Sequence, residues 1–296
     1  METSRDAWAV TSAERAAGCD VTIGSATRLA VVLGHPVAHS RSPVMMNAAF
    51  AAAALDAVFL ALDVPPAELA ACVAGLRAMR ALGASVTVPH KQEVGALCDE
   101  LAPAAAAIGA VNCLQLRAGR VIGHNTDSGG LADALVAAGA PTAGARCVVL
   151  GGGGAARAVA HGLATLGVAR TIVVARTACT WAAHVPWSAP ALAAAFSAAD
   201  VVIDCTSIAL QPDGEAAHVD PLPLAALRPA AWVGSLVYHR VPLLLTRAAA
   251  AGHRTFDGAE MLVRQGARAY ELWTDTAAPI DAMRAALCAS ILMKNA

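Results

Sequence analysis

Cys147-Val-Val-Leu150, followed at once by Gly151-Gly152-Gly153-Gly154-Ala155-Ala156, is the stretch that decides the fold. The apolar run reads as a buried strand, and Ala155 to about Leu166 as a helix. Between them the pattern G-x-G-x-x-A gives each small residue a task. The first glycine permits the tight turn, Gly153 lets backbone approach a pyrophosphate, and Ala156 allows close helix–sheet packing. The helix N-terminus adds free N–H groups and a positive dipole end. Gly151, Gly152, Gly153, Gly154 and Ala155 are therefore expected to form a dinucleotide cradle. A glycine turn without a ligand is the alternative.

Working outward, Thr171–Ala175, Asp200–Ile203 and Ala231–Val233 read as further strands of the same unit. An NAD-selecting unit usually carries an acid at the end of its second strand, for the ribose 2′-hydroxyl. Here Ala175-Arg176-Thr177 stands there, and a planar guanidinium suits a 2′-phosphate. NADP is the favoured cofactor, with NAD possible. Upstream, Leu29–Leu33, Val58–Leu62 and Ala84–Val88 read as strands. Between them lie a helix opened by Ser42 and Pro43 and running to about Leu55, and another from Pro65-Pro66 to about Met79. A further helix is expected from Lys91. Such alternation predicts a parallel α/β sheet. A linker helix is expected from about Ser128 to Ala138, and two helices without an intervening strand follow Gly258. The expected division is a leader at 1–27, one domain from 28–126 plus 258–296 with its C-terminal helices packing back, and a nucleotide domain at 127–257.

Lys plus Arg number 21 against 22 for Asp plus Glu, a near-neutral balance without a basic block that argues against a nucleic-acid partner. A hydrophobic fraction of 57 % and a mean hydropathy of +0.56 look membrane-like. Much of that is alanine, and the uncharged stretch Ala182–Ala199 is broken by His184, Pro186, Ser188 and Pro190. A spanning helix needs about 20 mostly apolar residues. The first twenty residues lack the apolar core of a signal peptide. Eight cysteines without any C-x-x-C indicate neither zinc nor a disulfide framework. A soluble cytoplasmic protein with a small-molecule substrate is expected, monomer or homodimer, with neither nucleic acid nor membrane as partner.

Several segments, in order along the chain, resemble one family. Gly34-His-Pro-Val-Ala-His-Ser40-Arg-Ser42-Pro43 with Asn47 is similar to the G-x-P-x-x-H-S-x-S-P opening of shikimate dehydrogenases. Val86-Thr87-Val-Pro-His-Lys91 is similar to their V-T-x-P-x-K, Gly109-Ala-Val-Asn112 to G-A-x-N, and Gly123-His-Asn-Thr-Asp127 to G-x-N-T-D. Tyr238 lies in a V-Y stretch, and Gly258-x-x-Met261-Leu262-x-x-Gln265 resembles G-x-x-M-L-x-x-Q. The resemblance implies a two-domain α/β enzyme, with a Rossmann-like nucleotide domain between the parts of a substrate domain. It would oxidise a ring hydroxyl of shikimate with NADP. It also implies that Ser40, Ser42 and Tyr238 hold the substrate carboxylate, and that Thr87, Asn112 and Gln265 bind ring hydroxyls. Thr206 and Gly258 would join Arg176 and the glycine turn at the cofactor. Lys91 and Asp127 would handle the hydroxyl proton, an amine exchanging it while a carboxylate orients the amine. Taken singly, Lys91 could be a solvated first-turn residue, and Asp127 or Ser42 a helix cap.

The chain also departs from the family pattern. Ala175 and Thr180 stand where an asparagine and a second basic residue are common, and His90 where phenylalanine is. Asp204-Cys-Thr-Ser207 replaces N-A-T-S, which puts a carboxylate near the expected nicotinamide pocket. Ser235-Leu-Val-Tyr238-His-Arg240 lacks the usual acid and proline. A divergent paralogue acting on quinate or an aminated analogue, with NAD or NADP, is the close alternative. A non-catalytic nucleotide-binding sensor is the alternative of a different class. Retention of both serines leans towards shikimate.

Overall fold

The computed structural model describes residues 23–208 and 213–295, so most of the expected leader lies outside the described residues. Two six-stranded sheets organise the chain, in the orders β2-β1-β3-β5-β6-β4 and β12-β11-β10-β7-β8-β9. The first comprises β1 (Arg28–Gly34), β2 (Ala57–Asp63), β3 (Gly83–Val86), β4 (Glu100–Leu101), β5 (Cys113–Arg117) and β6 (Arg120–His124). The second comprises β7 (Arg146–Leu150), β8 (Arg170–Ala175), β9 (His184–Pro186), β10 (Val201–Asp204), β11 (Trp232–Ser235) and β12 (Arg254–Phe256). Every pairing in the second sheet is parallel. In the first, β5 alone runs against its neighbours β3 and β6. The β5–β6 hairpin and the short edge strand β4 are elements that the sequence reading did not place.

The helices are α1 (Ser42–Ala52), α2 (Leu69–Ala78), α3 (Pro103–Ile108), α4 (Asp127–Ala138), α5 (Gly154–Thr165), α6 (Ala189–Ala198), α7 (Glu215–Val219), α8 (Leu243–Ala250), α9 (Ala259–Thr274) and α10 (Ile280–Asn295). Buried strands such as Val31–Leu33 and Cys147–Leu150 are continuous apolar runs because helices cover both faces of the sheets. The helix expected from Lys91 is instead a turn followed by a short 3-10 helix, Glu93–Leu97. The constraint is local: Val111 N–H donates to the Lys91 carbonyl at 2.7 Å, where an α-helix would need that acceptor itself. Ser42 is the first helical residue of α1 rather than its cap, which is Arg41.

The two last helices pack mainly on the first sheet, while Met261 at the start of α9 joins the core under the second. Tyr270, Trp273, Met283 and Leu287 share one core with Met45, Phe50 and Phe59. The Trp273 ring stacks on Phe59 at 6.0 Å between centroids, and its indole N–H donates to the Leu114 carbonyl at 3.0 Å. Among the described residues no helix is long and apolar enough to cross a membrane.

Candidate active site

In each sheet the strand order reverses beside the first strand, and a ligand crevice belongs at the carboxyl ends there. In the first sheet, those ends carry the Ser40–Ser42 loop after β1 and the Thr87–Lys91 turn after β3. Thr87 N–H donates to Leu33 O at 2.8 Å and His35 N–H to Val88 O at 3.0 Å, which ties the two loops side by side. Ser42 N–H donates to the Ser40 hydroxyl at 3.3 Å. Tyr238 reaches the same loop from beyond β11: the Arg41 backbone N–H donates to its phenol oxygen, while burial pushes the phenol pKa up. Ser40, Ser42 and Tyr238 are thereby brought together.

The second cluster is centred on Asn112. Its side-chain amide donates to Asp127 Oδ1 at 2.8 Å and lies 3.0 Å from Thr126 Oγ1 and 3.4 Å from Gln265 Oε1. Its carbonyl accepts the Thr126 N–H at 2.6 Å. Lys91 Nζ donates to Asp127 Oδ2 at 2.7 Å, with side-chain exposures of 18 % and 8 %. Lys91 is therefore no solvated residue. Asp127 is no helix cap either: Thr126 occupies that position, and the Asp127 carboxylate is spent on Lys91 and Asn112. Sequence reasoning overlooked Thr126, which lies inside the Asn-Thr-Asp segment and links Asn112 to Gln265.

Opposite stands the glycine turn. Gly151 has φ +107°, a conformation that L side chains rarely adopt, and packs against Cys205 and Thr206 from the end of β10. A Cβ at Gly153 would meet nothing within 4 Å, so the turn opens onto free space. Helix α5 has no side-chain cap and no acid in its first turn, which leaves its N–H groups and positive end for an anion. Arg176 is exposed just past β8, and Thr180 is exposed as well. These features fit a phosphorylated dinucleotide. Gly258 differs: a Cβ there would stand 2.1 Å from the Leu236 carbonyl oxygen, so its smallness serves packing of α9 against the segment leading to Tyr238.

The two halves touch where it matters. A Cβ on Gly154 would lie 3.6 Å from both Ala110 Cβ and Lys91 Cβ. Arg157 of α5 reaches the Ile108 carbonyl at 3.5 Å and covers the Trp181 ring at 5.3 Å. The segment Gly109–Asn112 thus meets the start of α5 at one end and holds Asp127 at the other.

A relative from Symbiobacterium thermophilum, a shikimate dehydrogenase (NADP(+)), is 44 % identical over 285 residues, covering 89 % of this chain and 95 % of that protein. The chain belongs to the shikimate dehydrogenase family. Family profiles agree: the shikimate dehydrogenase substrate binding domain matches residues 32–114, and the shikimate 5'-dehydrogenase C-terminal domain matches 258–288. Among solved structures, the Thermus thermophilus shikimate 5-dehydrogenase in complex with NADP(H) and shikimate superposes with a TM-score of 0.79 at 33 % identity, covering 89 % of this chain and all of that one. A 5-ketofructose reductase from a Gluconobacter strain superposes with a TM-score of 0.76 at 31 % identity, covering 90 % of this chain and 100 % of that one.

Two departures from the family pattern have local partners. His90 is fully buried, and its Nε2 meets the Val64 carbonyl at 2.7 Å, so it is an internal strut rather than a cleft residue. Asp204 stands at the carboxyl end of β10. It turns inward to His218, whose Nε2 is 3.2 Å from Oδ2, and Oδ1 accepts the Thr206 N–H at 2.9 Å.

Proposed function

We propose that this chain is an NADP-dependent shikimate dehydrogenase, which reversibly oxidises one ring hydroxyl of shikimate to give 3-dehydroshikimate. The observation that carries this reading is the Lys91–Asp127–Asn112–Gln265 cluster, packed through the Lys91 stem against the start of the phosphate-binding helix. When bound, the nicotinamide ring supplies the hydride acceptor. The protein supplies the rest. Lys91 Nζ, in its unprotonated form, takes the proton from the substrate hydroxyl and returns it in the reverse direction. Asp127 fixes Nζ from 2.7 Å away, and Asn112 fixes Asp127 in turn.

Thr87, Asn112 and Gln265 offer donors and acceptors matched to vicinal ring hydroxyls. A site built on such groups rejects analogues that lack them. Ser40, Ser42 and Tyr238 offer neutral hydroxyls to one carboxylate. Arg176 meets the 2′-phosphate, while Gly151–Gly154, Ala155 and Thr206 line the cofactor turn. In this reading 28–126 plus 258–296 binds substrate, 127–257 binds cofactor, and the reacting centre lies in the cleft between them.

The assay is the absorbance of reduced nicotinamide with shikimate and quinate, each with NAD and NADP. Shikimate with NADP is expected to give the highest kcat/KM, because the extra ring hydroxyl of quinate needs room and a partner. Higher efficiency with quinate would overturn the substrate assignment and point to the segment Ser235–Arg240. Exposed Thr180, in place of a second basic residue, favours measurable turnover with NAD as well.

A further inference from the structure

Asp204 and His218 form a buried pair, with side-chain exposures of 1 % and 4 %, directly behind the turn that borders the glycine cradle. Asp204 closes β10, in register with Leu150 of β7 and Ser235 of β11, so it stands at the carboxyl ends where the strand order reverses. Its two oxygens are divided: Oδ1 accepts the Thr206 N–H at 2.9 Å, and Oδ2 lies 3.2 Å from His218 Nε2. His218 Nε2 is also 3.4 Å from the Thr206 hydroxyl. Thr206 Cγ2 in turn sits 3.4 Å from where a Cβ of Gly151 would be. A chain of contacts therefore runs from His218 through Asp204 and Thr206 to the first glycine of the cradle.

His218 is itself held. The Trp187 ring packs on it with centroids 4.9 Å apart. At the other end of α7, Glu215 accepts from Arg240 Nη1 at 2.7 Å and from the Leu243 N–H at 2.8 Å. Helix α7 thus touches two of the segments in which this chain departs from the family pattern, Asp204–Ser207 and Ser235–Arg240. A carboxylate in place of an amide at 204 would be an uncompensated buried charge without His218, and such charges are strongly unfavourable.

We infer that Asp204 and His218 are a positioning pair for the cofactor turn, holding Thr206 against Gly151 so that the cradle is preformed for the nicotinamide dinucleotide. The inference rests on the dinucleotide reading of the glycine turn given above. Neither residue touches the reacting atoms; both act through Thr206.

The test is NADPH affinity by fluorescence titration of the purified full chain, with shikimate KM measured at saturating NADP and folding checked by circular dichroism. His218→Leu removes the donor and leaves the Asp204 carboxylate with one N–H partner. NADPH affinity is expected to fall roughly tenfold, which corresponds to about 1.4 kcal/mol, with shikimate KM changing less than twofold. Adding Asp204→Asn removes the stranded charge while keeping an acceptor for the Thr206 N–H, and should recover most of the lost affinity. If His218→Leu does not fold, His218→Gln carries the same comparison with a loss of roughly threefold. Unchanged NADPH affinity in a folded His218 variant overturns the inference. So does an equal loss for both ligands, or the failure of Asp204→Asn to rescue. Absence of NADPH binding by the unaltered protein overturns the dinucleotide reading itself, and the inference with it.

Discussion

The two walls of the cleft are built from opposite materials. On the proposed substrate side the groups are side chains: Lys91, Asn112, Asp127 and Gln265 are bonded to one another in one network. On the proposed nucleotide side they are backbone: Gly153 faces open space, the N-terminus of α5 has no side-chain cap, and Arg176 is exposed just past β8. The difference follows from the ligands. A ring with several hydroxyls and one reacting carbon needs fixed directional partners, whereas a pyrophosphate needs diffuse positive potential and close approach. Single side-chain substitutions should therefore act on rate at the first wall and on affinity at the second.

Lys91→Ala breaks the comparison most sharply. Turnover is expected to drop by about 10²–10⁴-fold, the usual worth of general acid–base help, with NADPH affinity in fluorescence titration almost unchanged. Near-normal turnover would remove Lys91 from the chemistry. Arg176→Ala tests the other wall. A charge-assisted hydrogen bond contributes about 1.5–3 kcal/mol, so the NADP-over-NAD preference should shrink roughly ten- to a hundredfold. Equal losses for both cofactors would show that selection lies elsewhere.

Ser42→Ala sharpens the picture within the first wall. Carboxylate binding is largely the same in ground and transition states, so KM for shikimate should rise about two- to tenfold with kcat little changed. A fall in kcat at constant KM would mean that Ser42 acts on the transition state.

The smallest effect lies at the far end of β10, away from the cleft. Asp200 accepts from Arg146 Nε at 3.1 Å, Nη2 at 3.0 Å and the backbone N–H at 2.9 Å, and these bonds hold its carboxyl pKa down. A depressed folded pKa contributes stability that is present above the ordinary carboxylate value, about 3.9, and is lost as pH falls through the folded value. Asp200→Asn should therefore lower Tm slightly at neutral pH, and the gap from the parent should close below about pH 4. A gap that persists in strong acid would assign the loss to packing.

Legibility in the sequence tracked composition. Strands β7, β8 and β10 were readable because Val-Val and Ile-Val-Val runs are bounded by glycine or by a helix signal. The β5–β6 hairpin was not: Cys113-Leu-Gln-Leu-Arg117 has no β-branched residue, and its turn places Ala118 at φ +51°, a conformation without an alanine signature. Individual side chains were readable only in company. Lys91 and Asp127 each resembled a helix-terminus residue, and 36 positions separate them. The inward turn of Asp204 was invisible, because its partner His218 belongs to a helix too short to show periodicity.

The packing of α9 and α10 on the first sheet has a consequence for biosynthesis. Met45, Phe50 and Phe59 are synthesised more than 200 residues before the Tyr270, Trp273, Met283 and Leu287 side chains that cover them. At about 5–20 residues per second, that interval is on the order of ten to fifty seconds. The second sheet is contiguous in sequence and can close within it. The second sheet can therefore close before the first is covered, and the apolar surface of Met45, Phe50 and Phe59 is what a chaperone would meet in that interval.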